Sequence, residues 1–494
     1  MDSVMIFTAL LSSSVLFLFL YFNIRRPSSR LPPGPYPFPV IGNILSLGSN
    51  PHISLASLSK IHGPVMSLKL GSLTTIVVSS PETAQIILQK NDRICSGRHV
   101  PDIFRILDHN KYSVSLLSAN SQWRSLRKIS KENIFSQAQM DAKQGIRLKK
   151  VEELIAFVRR SSVVKIGDAA FTTTLNLLSN MFFSMNLAHH DSNFSREFKD
   201  HMGIALEIAG TPNLADYFPI FRLVDVQGLR RRFRFHFTRL FRIFEEIIQR
   251  RIESKETKND LLDVLLNLSQ ETASTLTIND ITHLIIDLFT AGTDTTSSTV
   301  EWAMTELFRN PDKLKKTQAE LREFAGEEMI IEESDISKLP YLQSVVKETL
   351  RLHHPTPFLI PHKAEAEFEI DVDEKYLFRV AKDAQILVNV WAIGRDPKVW
   401  EDPLVFMPER FLESEIDFKG RDFRFIPFGY GRRSCPGMVL GDKMVHLLLT
   451  SLLLSFDWKL EKGINPQDID LDEKFGITMK KAIPLKAIPI SIKS

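Results

Sequence analysis

Cys435 lies in the segment FIPFGYGRRSCPG (425–437), between a glycine-rich turn and Pro436-Gly437. Gly429, Gly431 and Gly437 allow tight turns and close backbone approach. Arg432 and Arg433 add positive charge, and a helix expected just after the loop adds its positive N-terminal end. Such surroundings favour a thiolate, which can serve as nucleophile or metal ligand; a structural cysteine buried in a turn is the plain alternative. The chain has only one other cysteine, Cys95, so zinc and iron–sulfur sites built from several cysteines are excluded. A single axial thiolate on haem iron suits the pattern best. A second candidate is AGTDTT (291–296). Gly292 costs a helix about 1 kcal/mol, and Thr293, Thr295 and Thr296 can bond back to helix carbonyls and bend it. A local rule broken inside a strong helical pattern often marks function, although polar residues on a packed face would look the same. Glu348 and Arg351 in ETLR stand three apart and can pair on one helix face.

These residues together resemble the cytochrome P-450 family of haem-thiolate monooxygenases. The family pattern F-x-x-G-x-R-x-C-x-G is met by Phe428, Gly431, Arg433, Cys435 and Gly437, and it is highly specific. The resemblance implies haem b with Cys435 as the thiolate ligand of the metal. It gives Glu348 and Arg351, with Arg410 of FMPERF (406–411), a structural Glu–Arg–Arg core. It assigns Arg127 and Trp123 of W-x-x-x-R, and His362 where many members carry arginine, to a haem propionate. It makes Asp294 and Thr295 an acid–alcohol pair that relays protons during oxygen activation, in a groove opened in the helix. Tyr430, at a position that is usually small, is expected to crowd the thiolate side. The segment 371–382 is longer than usual, with Ala381 for a common proline, and is expected to alter a surface hairpin.

The implied fold is mainly α with a minor β part, the cytochrome P-450 fold, after a single N-terminal transmembrane helix. Within the family the chain is similar to the plant microsomal group containing geraniol 8-hydroxylase and the abietane diterpene hydroxylases. The shared text includes PNLADYFP (212–219), TAGTDTTSSTVEWAMTEL (290–307), WAIGRDP (391–397) and EKFGIT (473–478). By family position the substrate pocket comprises Ile103, Phe104, Leu107, Leu206, Ala209, Phe289, Ala291, Thr356, Phe358, Leu359 and Ile477. This mostly apolar set suits a small terpenoid, a monoterpene alcohol such as geraniol or an abietane-type diterpene. It would equally hold a fatty acid or a phenolic. Two other classes are an electron-independent haem-thiolate isomerase or dehydratase, and a haem sensor without turnover; the Asp294-Thr295 pair argues against both.

The elements that must position these residues are legible from periodicity. The stretch 65–80, with β-branched runs broken at Gly71, predicts a hairpin. Apolar residues Phe233, Phe237, Leu240, Phe241, Phe244, Ile247 and Ile248 predict a helix over 228–258 with an arginine-rich outer face. Thr277 and Asp280 form a capping-box start for a long helix toward Pro311. Further helices are expected over 342–352 and 438–455, and extended chain at 385–390 and near the C-terminus.

The chain has 494 residues, 44% hydrophobic and 24% charged, which is globular composition. With 62 basic and 59 acidic residues the net charge is +3, and nothing calls for a nucleic-acid partner. Residues 4–24 carry no charge and would span about 31 Å as a helix. Arg25, Arg26 and Arg30 follow them, the reverse of a secretory signal. The positive-inside rule then leaves the rest of the chain cytosolic. The expected organisation is a membrane anchor with basic flank (1–30), a proline-rich hinge (31–43) and the monooxygenase domain (44–494), at the endoplasmic reticulum membrane. No dinucleotide-binding GxGxxG follows a strand, so electrons must come from NADPH through a separate reductase, NADPH-cytochrome P-450 reductase. Arg432 and Lys443 are candidates to meet its acidic face. The histidine pairs 189–190 and 353–354, the sequons at Asn193 and Asn267, and Cys95 carry no assigned role.

Overall fold

A computed structural model describes residues 31–271, 275–326, 331–372, 376–420 and 422–492, with positions 8, 12 and 13. Of the expected anchor, 4–24, all but positions 8, 12 and 13 lie outside the described residues. The elements that build the site are α1 (Pro51–His62), β1 (Val65–Leu70), β2 (Leu73–Val78), β3 (Gly97–Arg98), α2 (Ser121–Ile129), α3 (Ile166–Phe183), α4 (Asn193–Gly210), α5 (Leu229–Ser254), α6 (Ile278–Arg309), α7 (Pro340–Leu352), β4 (His362–Lys363), β5 (Gln385–Val388), α8 (Met438–Ser455), β6 (Glu473–Lys474) and β7 (Lys480–Lys481). Helices dominate, as the sequence predicts, and the sheets are small.

The helical core is organised around α6. Its start is the capping box read from sequence: the Asp280 N–H donates to Thr277 Oγ1 at 3.1 Å, and the Thr277 N–H donates to Asp280 Oδ2 at 2.9 Å. Nearly every residue of α6 beyond Asp280 is buried, because it packs against α3, a helix itself buried on nearly every side. Phe289 of α6 sits at 0% exposure among Phe182 and Phe183 of α3 and Phe244 of α5, with ring centroids 4.7–5.6 Å apart. Burying such a ring stabilises the fold by roughly 1.5–3 kcal/mol. On α5 the buried Phe233, Phe237, Leu240, Phe244 and Ile248 recur at helical spacing, while Arg231, Arg232, Arg234, Arg239 and Arg242 face outward. Helix α8 is long and apolar enough to cross a membrane, but it lies mostly inside the core.

The main sheet has the order β1-β2-β5-β4-β3. The β1–β2 hairpin closes at Gly71, whose φ of +57° is one that L side chains rarely adopt. Strand β5 runs parallel to β2, pairing Thr75 with Gln385, and β3 is antiparallel to β4, placing Arg98 beside His362. The segment 31–43 lies against β1: the Ser67 N–H donates to the Pro33 carbonyl at 2.8 Å, and Asn43 bridges the Pro35 carbonyl and the Lys69 N–H. The long stretch 371–382 forms part of a two-stranded hairpin, 368–372 with 376–380.

Candidate active site

Glu348, Arg351 and Arg410 meet as a buried triad. Arg351 donates twice to the Glu348 carboxylate, both at 2.7 Å, and Arg410 Nε donates to the same group at 3.0 Å. Arg351 also donates to the carbonyls of Gly394 and Pro403, and the Met407 N–H reaches Glu348 at 2.8 Å. All polar groups here are satisfied, which a fully buried ion pair requires. The triad ties α7 to the chain leading into the cysteine loop.

That loop is held by backbone geometry. Gly429 and Gly431 take φ of +68° and +67°, and the Cys435 N–H donates to the Phe428 carbonyl at 2.9 Å. Burial pushes the Cys435 thiol up, while the Gly437 N–H and Arg127 pull it down. Yet the Cys435 residue is exposed by surface area: a group surrounded by protein but in contact with little of it faces an internal cleft. On α6 the same signature recurs. Ala291 is exposed and Gly292 and Thr295 are half-buried, in a stretch whose neighbours are buried. The helix itself is unbroken through 291–296, so the expected groove is not a gap in the hydrogen-bond ladder. Thr295 donates its hydroxyl to the Ala291 carbonyl at 2.7 Å. Gly292 has a packing reason, since a Cβ there would lie 3.2 Å from Leu178 Cδ1 of α3.

Beside the cysteine loop three arginines converge. Arg98 is pushed well below its ordinary value by burial and by Arg433 and Arg127. Arg433 is lowered to about 10 by burial first, with Arg127 adding to it. Among the described residues none of the three has a carboxylate within ion-pair distance; Asp92 and Glu365 act on Arg433 only at longer range. Arg98 donates to the Ser115 and Ile360 carbonyls, and Arg433 to those of Ser96 and Leu117, leaving Arg433 Nη1 buried without a partner. Three crowded cations with spare donors and no acid call for an anionic ligand. The two carboxylates of haem fit that need, and the open face of Cys435 fits its iron.

The structure revises several side-chain roles. The Trp123 indole N–H is committed to the Val114 carbonyl at 3.1 Å, so Trp123 does not offer it to a propionate. Its ring instead shelves Arg433 and Arg127, at 4.4 and 5.8 Å. His362 is lowered to about 3 by burial, Arg98 and Arg433, and is therefore neutral. Its Nδ1 lies 2.7 Å from the Cys95 carbonyl, which only accepts, so the ring's single proton is there and Nε2 has none to give. His362 thus faces the Cys95 carbonyl, and its cross-strand neighbour Arg98 adds a charge beside it. Arg98 was missed in the sequence, where SGRH (96–99) offers no spacing signal. Tyr430 does not crowd the thiolate side, for it packs on Phe423 at 4.7 Å and takes a hydrogen bond from Gln89. Arg432 is paired with Asp92 at 2.7 Å, and Lys443 with Glu333; neither is a free landing point for a reductase.

Asp294 is 2% exposed and pairs with Lys480 of β7 at 2.5 Å, its Oδ2 unpartnered. Lys480 lines a cleft of about 170 Å³ between α4 and the C-terminal hairpin. Of the eleven pocket positions, Phe104, Ala209, Phe358, Leu359 and Ile477 line one cavity of about 140 Å³. Leu206, whose carbonyl accepts the Ile477 N–H at 3.2 Å, lines the neighbouring cleft that holds Lys480. Ala291, exposed on α6, and Thr356, half-buried, are not among those lining residues. Ile103 is 1% exposed in the core, Leu107 is 40% exposed on the surface, and Phe289 belongs to the aromatic cluster described above.

Comparison with known proteins identifies the family. The Cytochrome P450 family profile matches residues 32–485. A geraniol 8-hydroxylase of Catharanthus roseus is 51% identical, covering 100% of both chains. A geraniol 8-hydroxylase of Swertia mussotii is 50% identical over 94% of each, and cytochrome P450 76AD1 of Beta vulgaris is 50% identical over 96% of each. The chain therefore belongs to the plant cytochrome P450 monooxygenases.

Proposed function

We propose that this monooxygenase hydroxylates a small apolar terpenoid, a monoterpene alcohol such as geraniol, at the endoplasmic reticulum membrane. The observation that carries the reading is the cavity between Phe104, Ala209, Phe358, Leu359 and Ile477, apolar over most of its wall with His99, Thr211 and Asn213 at its polar part. Such a wall suits an apolar chain ending in one hydroxyl. The full-length similarity to two geraniol 8-hydroxylases supports the same substrate class.

In this reading Cys435 ligates the haem iron, and Arg98, Arg127 and Arg433 hold the haem carboxylates over the Trp123 ring. When bound, the haem supplies dioxygen activation and the oxidation of a substrate C–H bond. The protein's part is placement and proton supply. Phe358 and Ile477 pin the apolar chain, and the packed α6 keeps bulk water out. Lys480, a quarter exposed at its cleft, passes protons inward to the Asp294 carboxylate, and Thr295 one residue on holds the last hydroxyl or water of the relay. The basic residues Arg124, Lys128 and Lys131, exposed on and just after α2, offer the reductase the face that Arg432 and Lys443 do not.

The test is turnover in microsomes with a plant reductase. Geraniol is supplied beside ferruginol, lauric acid and cinnamic acid, with and without NADPH. Hydroxylated geraniol formed only with reductase and NADPH is the expected result; turnover confined to the acids overturns the substrate class. Cys435→Ser should abolish the thiolate band of the reduced carbon monoxide adduct, and retention of that band overturns the ligand.

A further inference from the structure

Glu473 begins the hairpin β6–β7, in which it pairs with Lys481. The tip of this hairpin, 475–479, carries Phe475 and Ile477, both on the wall of the proposed substrate cavity. The Glu473 side chain points the other way. Its Oε2 accepts from Trp391 Nε1 at 3.1 Å and lies 3.2 Å from His52 Nε2. Its Oε1 is 3.7 Å from both His353 Nδ1 and Arg395 Nη2. One carboxylate, 11% exposed, thus faces groups on α1, on the chain after α7 and on the segment following β5. Held by these donors and cations, its pKa lies far below the usual carboxylate range despite burial, which acts the other way. The second link is aromatic. His52, fully buried, stacks on Phe475 with centroids 5.4 Å apart and rings nearly parallel at 6°, and meets Trp391 edge-on at 5.1 Å. Phe475 in turn meets Phe358 across the cavity wall at 6.2 Å.

We propose that Glu473 is the positioning residue of the substrate wall: by fixing His52 and Trp391 it sets where Phe475 and Ile477 stand. It touches neither substrate nor haem. The inference rests on the reading of that cavity as the substrate site. A structural consequence makes the idea testable: Glu473 also lies on a separate cleft of about 700 Å³, with Arg309, Arg395 and Trp391 in its wall. A small carboxylate from solution can reach the space that a truncated Glu473 vacates.

The experiment uses the full chain in membranes with its reductase. Hydrogen exchange of the peptide spanning 475–479 is measured in wild type, Glu473→Gln, Glu473→Asp and Glu473→Ala, with the carbon monoxide spectrum recorded for each. Loss of a charge-assisted anchor should speed exchange about tenfold in Glu473→Gln and Glu473→Ala. Sodium acetate should restore slow exchange in Glu473→Ala and not in Glu473→Gln. Geraniol binding, read from the haem spectrum, should weaken and its oxidation should spread over more carbons, with the carbon monoxide band unchanged. Glu473→Asp should recover part of each effect. Should Glu473→Gln lose its haem band, Trp391→Phe, which deletes one donor to the same carboxylate, serves instead with a smaller acceleration. Unchanged exchange in these variants overturns the anchor. Faster exchange with unaltered geraniol affinity and product pattern overturns the link to the substrate wall. If wild type does not bind geraniol, the substrate reading has failed, and the exchange arm with acetate still decides the anchor.

Discussion

Thr295→Ala should leave the protein as stable as wild type and still spoil its chemistry. The hydroxyl donates to the Ala291 carbonyl of its own helix at 2.7 Å, a carbonyl already within the helical ladder, so removing it strands no acceptor. Back-bonding of this kind is slightly unfavourable to a helix, and alanine exceeds threonine in helix propensity by about 0.6 kcal/mol. Against that stands the loss of a net hydrogen bond of about 1 kcal/mol. The two nearly cancel, and the melting temperature should stay within about 2 °C. Haem content and the carbon monoxide spectrum should match wild type, because Cys435 and the arginine cluster are untouched. If the hydroxyl holds a water on the proton path, its loss costs that water about 1 kcal/mol, near fivefold in occupancy. Product formed per NADPH oxidised should fall by about that factor, with hydrogen peroxide making up the difference. The assay follows NADPH consumption, peroxide and hydroxylated product in one incubation. Unchanged coupling in both Thr295→Ala and Asp294→Asn would refute the reasoning and leave these residues as helix packing.

Lys480→Met should lower coupling in the same direction, since it strips the one ion-pair partner found among the described residues from a carboxylate that is 2% exposed; equal coupling in the variant would remove Lys480 from the path. Arg98→Met should weaken haem retention by about 10- to 100-fold, the worth of one charge-assisted hydrogen bond. The carbon monoxide band should stay in place, and transfer of haem to an apo-globin measures the loss. Asp216 accepts the Asp102 N–H at 2.6 Å, and burial pushes its carboxyl from 3.8 up to about 6. An acid raised on folding costs stability only when ionised, so the penalty is absent below about pH 4 and complete above about pH 6. Asp216→Asn keeps the acceptor and loses the charge. It should therefore melt with wild type near pH 4 and later than wild type near pH 8, by on the order of 2 kcal/mol; a constant difference across that range would refute the shift.

What the sequence made legible was whatever is local. The Thr277–Asp280 capping box, the apolar face of α5, the β1–β2 hairpin and the three-residue spacing of Glu348 and Arg351 each involve neighbours along one element. The cysteine loop was legible for the same reason, as Gly429, Gly431 and Gly437 within a few residues set its path. Side-chain direction was not, because distant partners decide it. Arg432 turns to Asp92, Arg433 to Ser96 and Leu117, and His362 to Cys95; none of these partners lies within 200 residues. Arg98 escaped notice because it sits on a two-residue strand whose partner begins at His362. Gly292 reads in the sequence as a weak point of its helix, and only the distant Leu178 shows its packing purpose.

The parallel pairing of Thr75 with Gln385 and the pairing of Gly97 with Lys363 also govern when the molecule can be finished. At about 5–20 residues per second, the ribosome needs some 15–60 s after releasing β2 before β5 emerges. Throughout that interval the hairpin has an unpaired edge, a template for pairing with other chains. Arg98 likewise waits for the Ile360 carbonyl. Haem capture must therefore be a late event in synthesis, and contacts of such sequence separation make folding slow. Expression of this protein should be limited less by its final stability than by protection of the nascent hairpin, and slower growth or added chaperones should raise the haem-loaded yield more than added haem does.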